Sequence, residues 1–334
     1  MKTRKSSLRL ALVSDEITRS CLVHECEIID IPARNFRAIL RDQKPDLLLV
    51  ESAWHGINSS WRFKIASYPG HIFRSNRALR KLVACARDLG IPTIFWNKED
   101  GVHFHRFIDS ARHFDHVFTV DANCIERYRA VMGADASVHV LPFPVQPAIH
   151  NFTGFDFKYH DANFVGSYSH HIHDRRRAWQ DMVFNAAMTT GLGLTVYDRN
   201  SDRPSTIYRY PDLPGMIVRP AVPPTQTARI YKDHLVSLNV NTVADSSTMC
   251  SRRLVEILAC GGIAVTSAAR SVDALFKDYC HVITQEEEAR ELFARLRHGP
   301  SAQDLERAEA GAAYVLREHN WARRLDQIAA TAGA

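Results

Sequence analysis

The chain has 334 residues, 46% hydrophobic and 24% charged, with a formal net charge of +5. That composition is globular, no apolar run approaches the ~18 residues of a membrane span, and so mild a basic excess demands no nucleic-acid partner. Its seven cysteines are scattered, with no Cys-x-x-Cys pair, and read as reduced, buried thiols of a cytoplasmic protein.

The N-terminus leads straight into a strand-like run without the apolar core of a signal peptide, which again implies a cytoplasmic location. Strands are expected at 8–13, 26–31, 46–52, 92–96, 116–120 and 138–141, and helices at 35–43, 76–89, 104–113 and 124–132. The second helix carries Leu79, Leu82, Val83, Ala86 and Leu89 on one face and stops at Gly90, an amphipathic stripe with its terminator. This alternation predicts an open parallel sheet covered by helices. Pro142, Pro144 and Pro147 then open a stretch to about residue 161 with little periodicity, as a linker should.

A second alternation follows: strands at 163–166, 194–197, 216–219, 236–243, 263–267 and 281–284, and helices at 176–190 and 225–233. A further helix lies between 243 and 263, and two long helical segments, 285–297 and 302–331, close the chain. Three motifs are absent: Gly-x-Gly-x-x-Gly after the first strand, a P-loop, and Asp-x-Asp. Their absence argues against dinucleotide dehydrogenases, P-loop kinases and metal-dependent transferases.

The most informative stretch runs from Ser246 to Gly262. Ser246, Ser247, Thr248 and Ser251 sit at a strand-to-helix turn, where free N–H groups and the helix dipole favour an anion. Arg252 and Arg253 occupy the first turn, where positive charge is disfavoured unless an anion offsets it. Glu256 follows Arg253 at i, i+3, on the same face. Gly261 and Gly262 are expected to supply the left-handed residues that end the helix. Ordinary helix capping and a surface ion pair would use the same residue types. A phosphate held by the turn, with a carboxylate for sugar hydroxyls, is the sharper reading.

The Arg253-x-x-Glu256 helix followed by Ala259-Cys260-Gly261 resembles the donor-binding motif of group 1 GT-B glycosyltransferases, and most closely that of the CgeB-like (spore maturation protein) family. The resemblance extends to residues 91–100 (ending Glu99-Asp100), 114–121, 140–143, 163–168, and His319 to Trp321 with Arg323 and Arg324. It implies two Rossmann-like domains whose parallel sheets face each other across a cleft. The acceptor domain would be 1–147, the linker 148–161, the nucleotide-sugar donor domain 162–315, and a helix over 316–334 would cross back. It also implies a metal-independent, retaining transfer that needs no cofactor besides the donor. Thr248 stands where many retaining relatives carry a Glu, so that carboxylate contact to the donor sugar is missing.

The expected donor-binding set is Gly166, Ser167, Tyr168, Arg175, Val222, Ser247, Thr248, Arg252, Arg253 and Glu256. Gly166 would let backbone approach the ligand closely, and one of Arg175 to Arg177 would reach the pyrophosphate beside Arg253. Glu256 would bind the ribose. Glu99 and Asp100, at the carboxyl end of a strand where ligands bind in open sheets, are the expected catalytic pair on the acceptor side, one of them orienting or deprotonating a hydroxyl. His103 and His105 are weaker alternatives. His170, His171 and His173 lack an accompanying carboxylate cluster or cysteine pair, so no metal is assigned. The partners expected are a nucleotide-sugar donor and a saccharide, lipid-linked or small-molecule acceptor, with loose contact to an anionic membrane surface also compatible with the charge. The rival reading is a non-catalytic GT-B-like binding or structural protein of a surface or coat assembly; a nucleotide-sugar epimerase would need the same pocket.

Overall fold

The structure is a computed structural model that describes residues 7–334. It divides into two units: one runs up to Gln146 and takes in Trp321–Ala334, and the other is Pro147–Asn320. The first holds β1 (Arg9–Val13), α1 (Glu16–Leu22), β2 (Glu27–Asp30), α2 (Phe36–Gln43), β3 (Leu47–Glu51) and α3 (Arg77–Asp88), then β4 (Thr93–Asn97), α4 (Asp100–Ala111), β5 (His116–Thr119), α5 (Ile125–Met132) and β6 (Val138–Val140). Its strands form one parallel sheet, ordered β2-β1-β3-β4-β5-β6. Leu47, Leu48, Leu49 and Val50 are wholly buried on both faces of β3, as a parallel sheet covered on both sides requires. Each such side chain contributes roughly 1.5–3 kcal/mol relative to exposure.

The second unit holds β7 (Tyr159–Gly166), α6 (Asp174–Thr189), β8 (Leu194–Asp198), β9 (Ile217–Pro220), α7 (Thr227–Asp233) and β10 (His234–Asn239), then α8 (Arg252–Ala259), β11 (Ile263–Ser267), α9 (Arg270–Leu275), β12 (His281–Ile283), α10 (Glu286–Leu296) and α11 (Ala302–Glu318). Its parallel sheet is ordered β12-β11-β10-β7-β8-β9. The chain starts in the middle of each sheet and later reverses direction. The resulting switch points lie between β1 and β3 in the first unit, and between β7 and β10 in the second. Ligands of such sheets bind outside the carboxyl ends of the strands at these points.

Several boundaries depart from the sequence expectation. β7 begins at Tyr159, four residues early, because Tyr159 pairs with His234 of β10 although its neighbours are too polar to read as a strand. The expected strand 236–243 stops at Asn239, and the next residues turn toward α8. The helix expected over 302–331 is two helices, broken at His319 and Asn320, where the Asn320 side chain donates to the Leu316 carbonyl. After that break α12 (Trp321–Ala332) packs on the first unit. Trp321 lies edge-to-face on Trp96 at 5.3 Å, and Arg324 and Gln327 donate to the carbonyls of Pro142 and Val140. Helices α1 and α9, of seven and six residues, are too short to leave a periodic signature. Of Gly261 and Gly262, only Gly261 is left-handed (φ +73°). A Cβ on Gly262 would instead meet Ile257 Cγ2 at 2.8 Å.

Candidate active site

The residues at the β7/β10 switch point are assembled from four elements. Gly166 ends β7 without a positive φ, so its role is room. A Cβ there would stand 2.6 Å from an Arg253 guanidinium nitrogen and 2.8 Å from the Phe164 ring. Arg253, from the first turn of α8, lies 4.5 Å over the Phe164 ring. It donates to the Val165 carbonyl at 2.5 Å and to Asn239 Oδ1 at 3.3 Å. Burial lowers its pKa, opposed by the tyrosines beside it.

Arg176, on the first turn of α6, donates to the Ser167 carbonyl at 2.9 Å and to Thr242 Oγ1 at 3.4 Å. Burial first, and the Arg253 charge second, push its pKa down to about 10. Arg199, just past β8, adds a third positive charge felt by both, and its backbone N–H donates to the Gly166 carbonyl. Among the described residues, none of these three guanidinium groups makes an ion pair with a carboxylate. The buried Tyr210 hydroxyl, whose own environment includes the Arg253 and Arg176 charges, has no hydrogen-bond partner among the described residues. Concentrated, partly desolvated cation without an ion-paired carboxylate favours an anion, and guanidinium forks match phosphate oxygens.

The α8 terminus is fixed from the sheet. Asn241 Oδ1 accepts from the Ser251 N–H at 2.8 Å, while its Nδ2 donates to the Ser267 carbonyl and the Thr266 hydroxyl. Asn239 Nδ2 donates to Thr266 Oγ1 at 2.8 Å. Ser246 Oγ accepts the N–H groups of Thr248 and Met249 and shapes the preceding turn. The sequence reading missed Asn239, Asn241 and Arg199, and it placed Ser246 at the turn without including it in the donor-binding set. Asparagines at the carboxyl end of a buried strand were the available signal.

Four expectations need correction. Arg175 is exposed, and the arginine that reaches the Gly166–Ser167 edge is Arg176, because α6 turns Arg175 away from the sheet. Tyr168 is 3% exposed and belongs to the apolar core with Phe164 and Phe184, its hydroxyl donating to Asp181; its side chain does not line the site. Glu256, expected to face the ribose from the same helix face as Arg253, is held by Arg252 at 2.7 Å. Burial raises its pKa, but Arg252 and His150 override that and hold it below the ordinary glutamate value, so it is ionised at neutral pH. Asp100 is wholly buried. Its Oδ1 accepts from Asn97 and from the Tyr128 hydroxyl at 2.7 Å, and burial pushes its pKa up to about 7, so it cannot touch an acceptor directly. Glu99 beside it is half-buried. Of the remaining expected residues, Ser167 holds Arg176, Ser247 is exposed, and Thr248 and Val222 are half-buried in the loops before α8 and after β9.

At the β1/β3 switch point the groups are acidic. Glu51 is 0% exposed and accepts from the Asp15 N–H (2.6 Å), the Thr18 hydroxyl (2.5 Å) and Lys98 Nζ (2.9 Å). The Asp15 carboxylate accepts the N–H groups of Trp54, His55 and Gly56. His170 and His171 are held by the Arg209 carbonyl and the Ser169 hydroxyl. Among the described residues no group of three or more His, Cys, Asp or Glu side chains could hold a metal ion, and no helix is long and apolar enough to cross a membrane.

Comparison with known proteins agrees with this architecture. The fold is GT-B. It is similar to the DNA-modifying enzyme beta-glucosyltransferase (TM-score 0.59, 10% identity, covering 98% of this chain and 100% of that one). It is also similar to Anabaena HepE, solved with UDP and glucose (0.54, 11%, 97% and 90%). The UDP-forming alpha,alpha-trehalose-phosphate synthase of Burkholderia xenovorans is a third such structure (0.52, 12%, 90% and 76%). Residues 173–330 match the family model described as glycosyl transferase-like. None of the curated proteins matches the sequence.

Proposed function

We propose that this protein is a glycosyltransferase that moves a sugar from a nucleotide-diphosphate-sugar donor to an acceptor hydroxyl on a saccharide, a lipid-linked sugar or a small molecule. The observation that carries the reading is the trio Arg176, Arg199 and Arg253, none ion-paired with a carboxylate among the described residues, at the switch point of the unit that matches the transferase-like model. As the acceptor oxygen bonds to the sugar's anomeric carbon, the bond from that carbon to the diphosphate oxygen breaks and its electron pair leaves with the diphosphate. Guanidinium groups already in place stabilise that charge, which supports catalysis without a metal. Glu256, ionised and at the helix that carries Arg253, is assigned to the ribose hydroxyls. Glu99 is assigned to take up or orient the acceptor proton, with buried Asp100 positioning the turn beneath it. The proposed stereochemical outcome is retention, and the group 1 type of CgeB-like protein is the proposed kind.

The test is a thermal-shift panel of UDP, GDP, TDP and CDP sugars in the presence of chelator, followed by turnover of the stabilising donor. A donor at ~100 times its dissociation constant adds about 2.7 kcal/mol. Stabilisation and turnover in chelator are expected, with Glu99→Gln lowering kcat by ~10²–10⁴-fold at unchanged nucleotide affinity. No stabilisation by any nucleotide overturns the reading. Binding without turnover favours a non-catalytic protein, to which the burial of Asp100 and the Thr at 248 lend some support.

A further inference from the structure

The two most exposed large apolar side chains of the described residues are adjacent: Ile72 at 87% and Phe73 at 95%. They form the tip of a loop whose base is anchored. Arg74 lies 4.1 Å over the Phe63 ring and stacks on Tyr68, and the turn is closed by His71 N–H to the Tyr68 carbonyl and Arg74 N–H to the His71 carbonyl. The tip is therefore held out with its apolar side chains in water, at a cost that an isolated surface residue would not justify. Phe73 also borders an open groove with Arg37, Lys64, Arg77 and Lys81, and a second groove along α3 adds Arg80, beside Arg87, which is paired with Asp115. No Asp or Glu lines either groove, and among the described residues Arg37, Lys64, Arg77, Arg80 and Lys81 make no ion pair.

We propose that this face of the first unit docks on an anionic lipid surface, with Ile72 and Phe73 entering the acyl boundary and the cations meeting headgroup phosphates. Charge complementarity selects this occupant: cations around an apolar tip are the pattern of interfacial binding. A protein partner needs about 800 Å² on each side, and two side chains of at most about 150–250 Å² each fall well short of that. Nucleic acid would use the cations, and Phe73 could stack on a base, but an 87%-exposed Ile72 gains nothing there.

The full chain is sedimented with large unilamellar vesicles of phosphatidylcholine, with and without a minority of phosphatidylserine, at low and high salt. Binding is expected only to the anionic vesicles and is expected to fall with salt. Ile72→Ser with Phe73→Ser should weaken it roughly tenfold or more. Arg77→Glu with Lys81→Glu should weaken it at least about 25-fold, each cation near an anionic surface being worth roughly fivefold. Circular-dichroism melts establish that both exposed pairs leave the fold intact. Absence of binding to anionic vesicles overturns the proposal, as does binding that either pair of substitutions leaves unchanged. So does duplex DNA that displaces the vesicles and binds the Ile72→Ser, Phe73→Ser variant as well as wild type, or a dimer in solution that this variant dissociates.

Discussion

At the carboxyl ends of β1 and β3, one unit places Asp15 and Glu51; at the carboxyl ends of β7 and β10, the other places Gly166, Asn239 and a guanidinium of Arg253. Both points obey the same topological rule for ligand binding. At the first, both carboxylates find their partners within the protein: Glu51 an ion pair with Lys98, and Asp15 hydrogen bonds from three backbone N–H groups. At the second, the sheet supplies amides and carbonyls, and neither Arg253 nor Arg176 is ion-paired with a carboxylate among the described residues, which leaves both guanidinium groups available to an anion. Equivalent topology thus yields one edge whose charged groups are satisfied internally and shape a loop, and one edge whose guanidinium groups lack a carboxylate partner. The charge inventory, rather than the fold, distinguishes them.

The largest expected effect tests the closed edge. Glu51→Ala leaves Lys98, only 13% exposed, without its counter-ion, and breaking such a buried pair costs about 3–5 kcal/mol. Urea unfolding followed through Trp54, Trp61, Trp96 and Trp321, all in the first unit, should show that loss, while nucleotide affinity measured in native buffer stays within a few-fold of wild type. A loss below about 1 kcal/mol would mean that Lys98 reaches water and the edge is not closed.

Next comes the open edge. Arg176→Ala and Arg253→Ala should each weaken a nucleoside diphosphate by very roughly 10- to 150-fold, from about 1.5–3 kcal/mol per charged hydrogen bond, and the bare nucleoside far less. Calorimetric titration of both ligands reads the difference. Equal losses for nucleoside and diphosphate would show that the arginines support the fold rather than phosphate.

A smaller effect concerns Asp100. Its folded pKa of about 7 lies above the usual aspartate value, so between about pH 4 and 7 the folded protein keeps a proton that the unfolded chain has released. Stability is therefore higher at the acidic end and is lost as pH rises through that window. From pH 5 to 7 the contribution is on the order of 2 kcal/mol. Asp100→Asn should remove that slope from denaturation curves taken across the range; a slope unchanged in the variant assigns it to another group.

The smallest change is at Gly166. An added methyl would press on the Arg253 guanidinium and the Phe164 ring, and the flexible arginine end yields more readily than the ring. Gly166→Ala should cost about 1 kcal/mol of stability and weaken diphosphate binding in calorimetry by a few-fold through the displaced arginine. Wild-type affinity in this variant would show that Arg253 binds phosphate from a position that does not depend on Gly166.

Two alternating β/α units were legible in the sequence because apolar runs and helical stripes are local signals, and because Pro142 to Pro147 interrupt them. The helix that follows β10 was legible too, from hydroxyl residues, arginines and Glu256 in one short stretch. Local pattern could not say which arginine of three turns inward, since a helix's rotation is set by the core it packs on: Trp179, Val183 and Phe184 are buried, and Arg176 follows from them. Nor could it show that Glu256 answers to Arg252, which depends on side-chain paths around Phe164 and Gly166. The adjacent acids at 99 and 100 look alike as letters. Only the packing of α4 against β4 and Tyr128 removes Asp100 from water and shifts its proton affinity, because desolvation is a property of everything around a group and not of its neighbours in the chain.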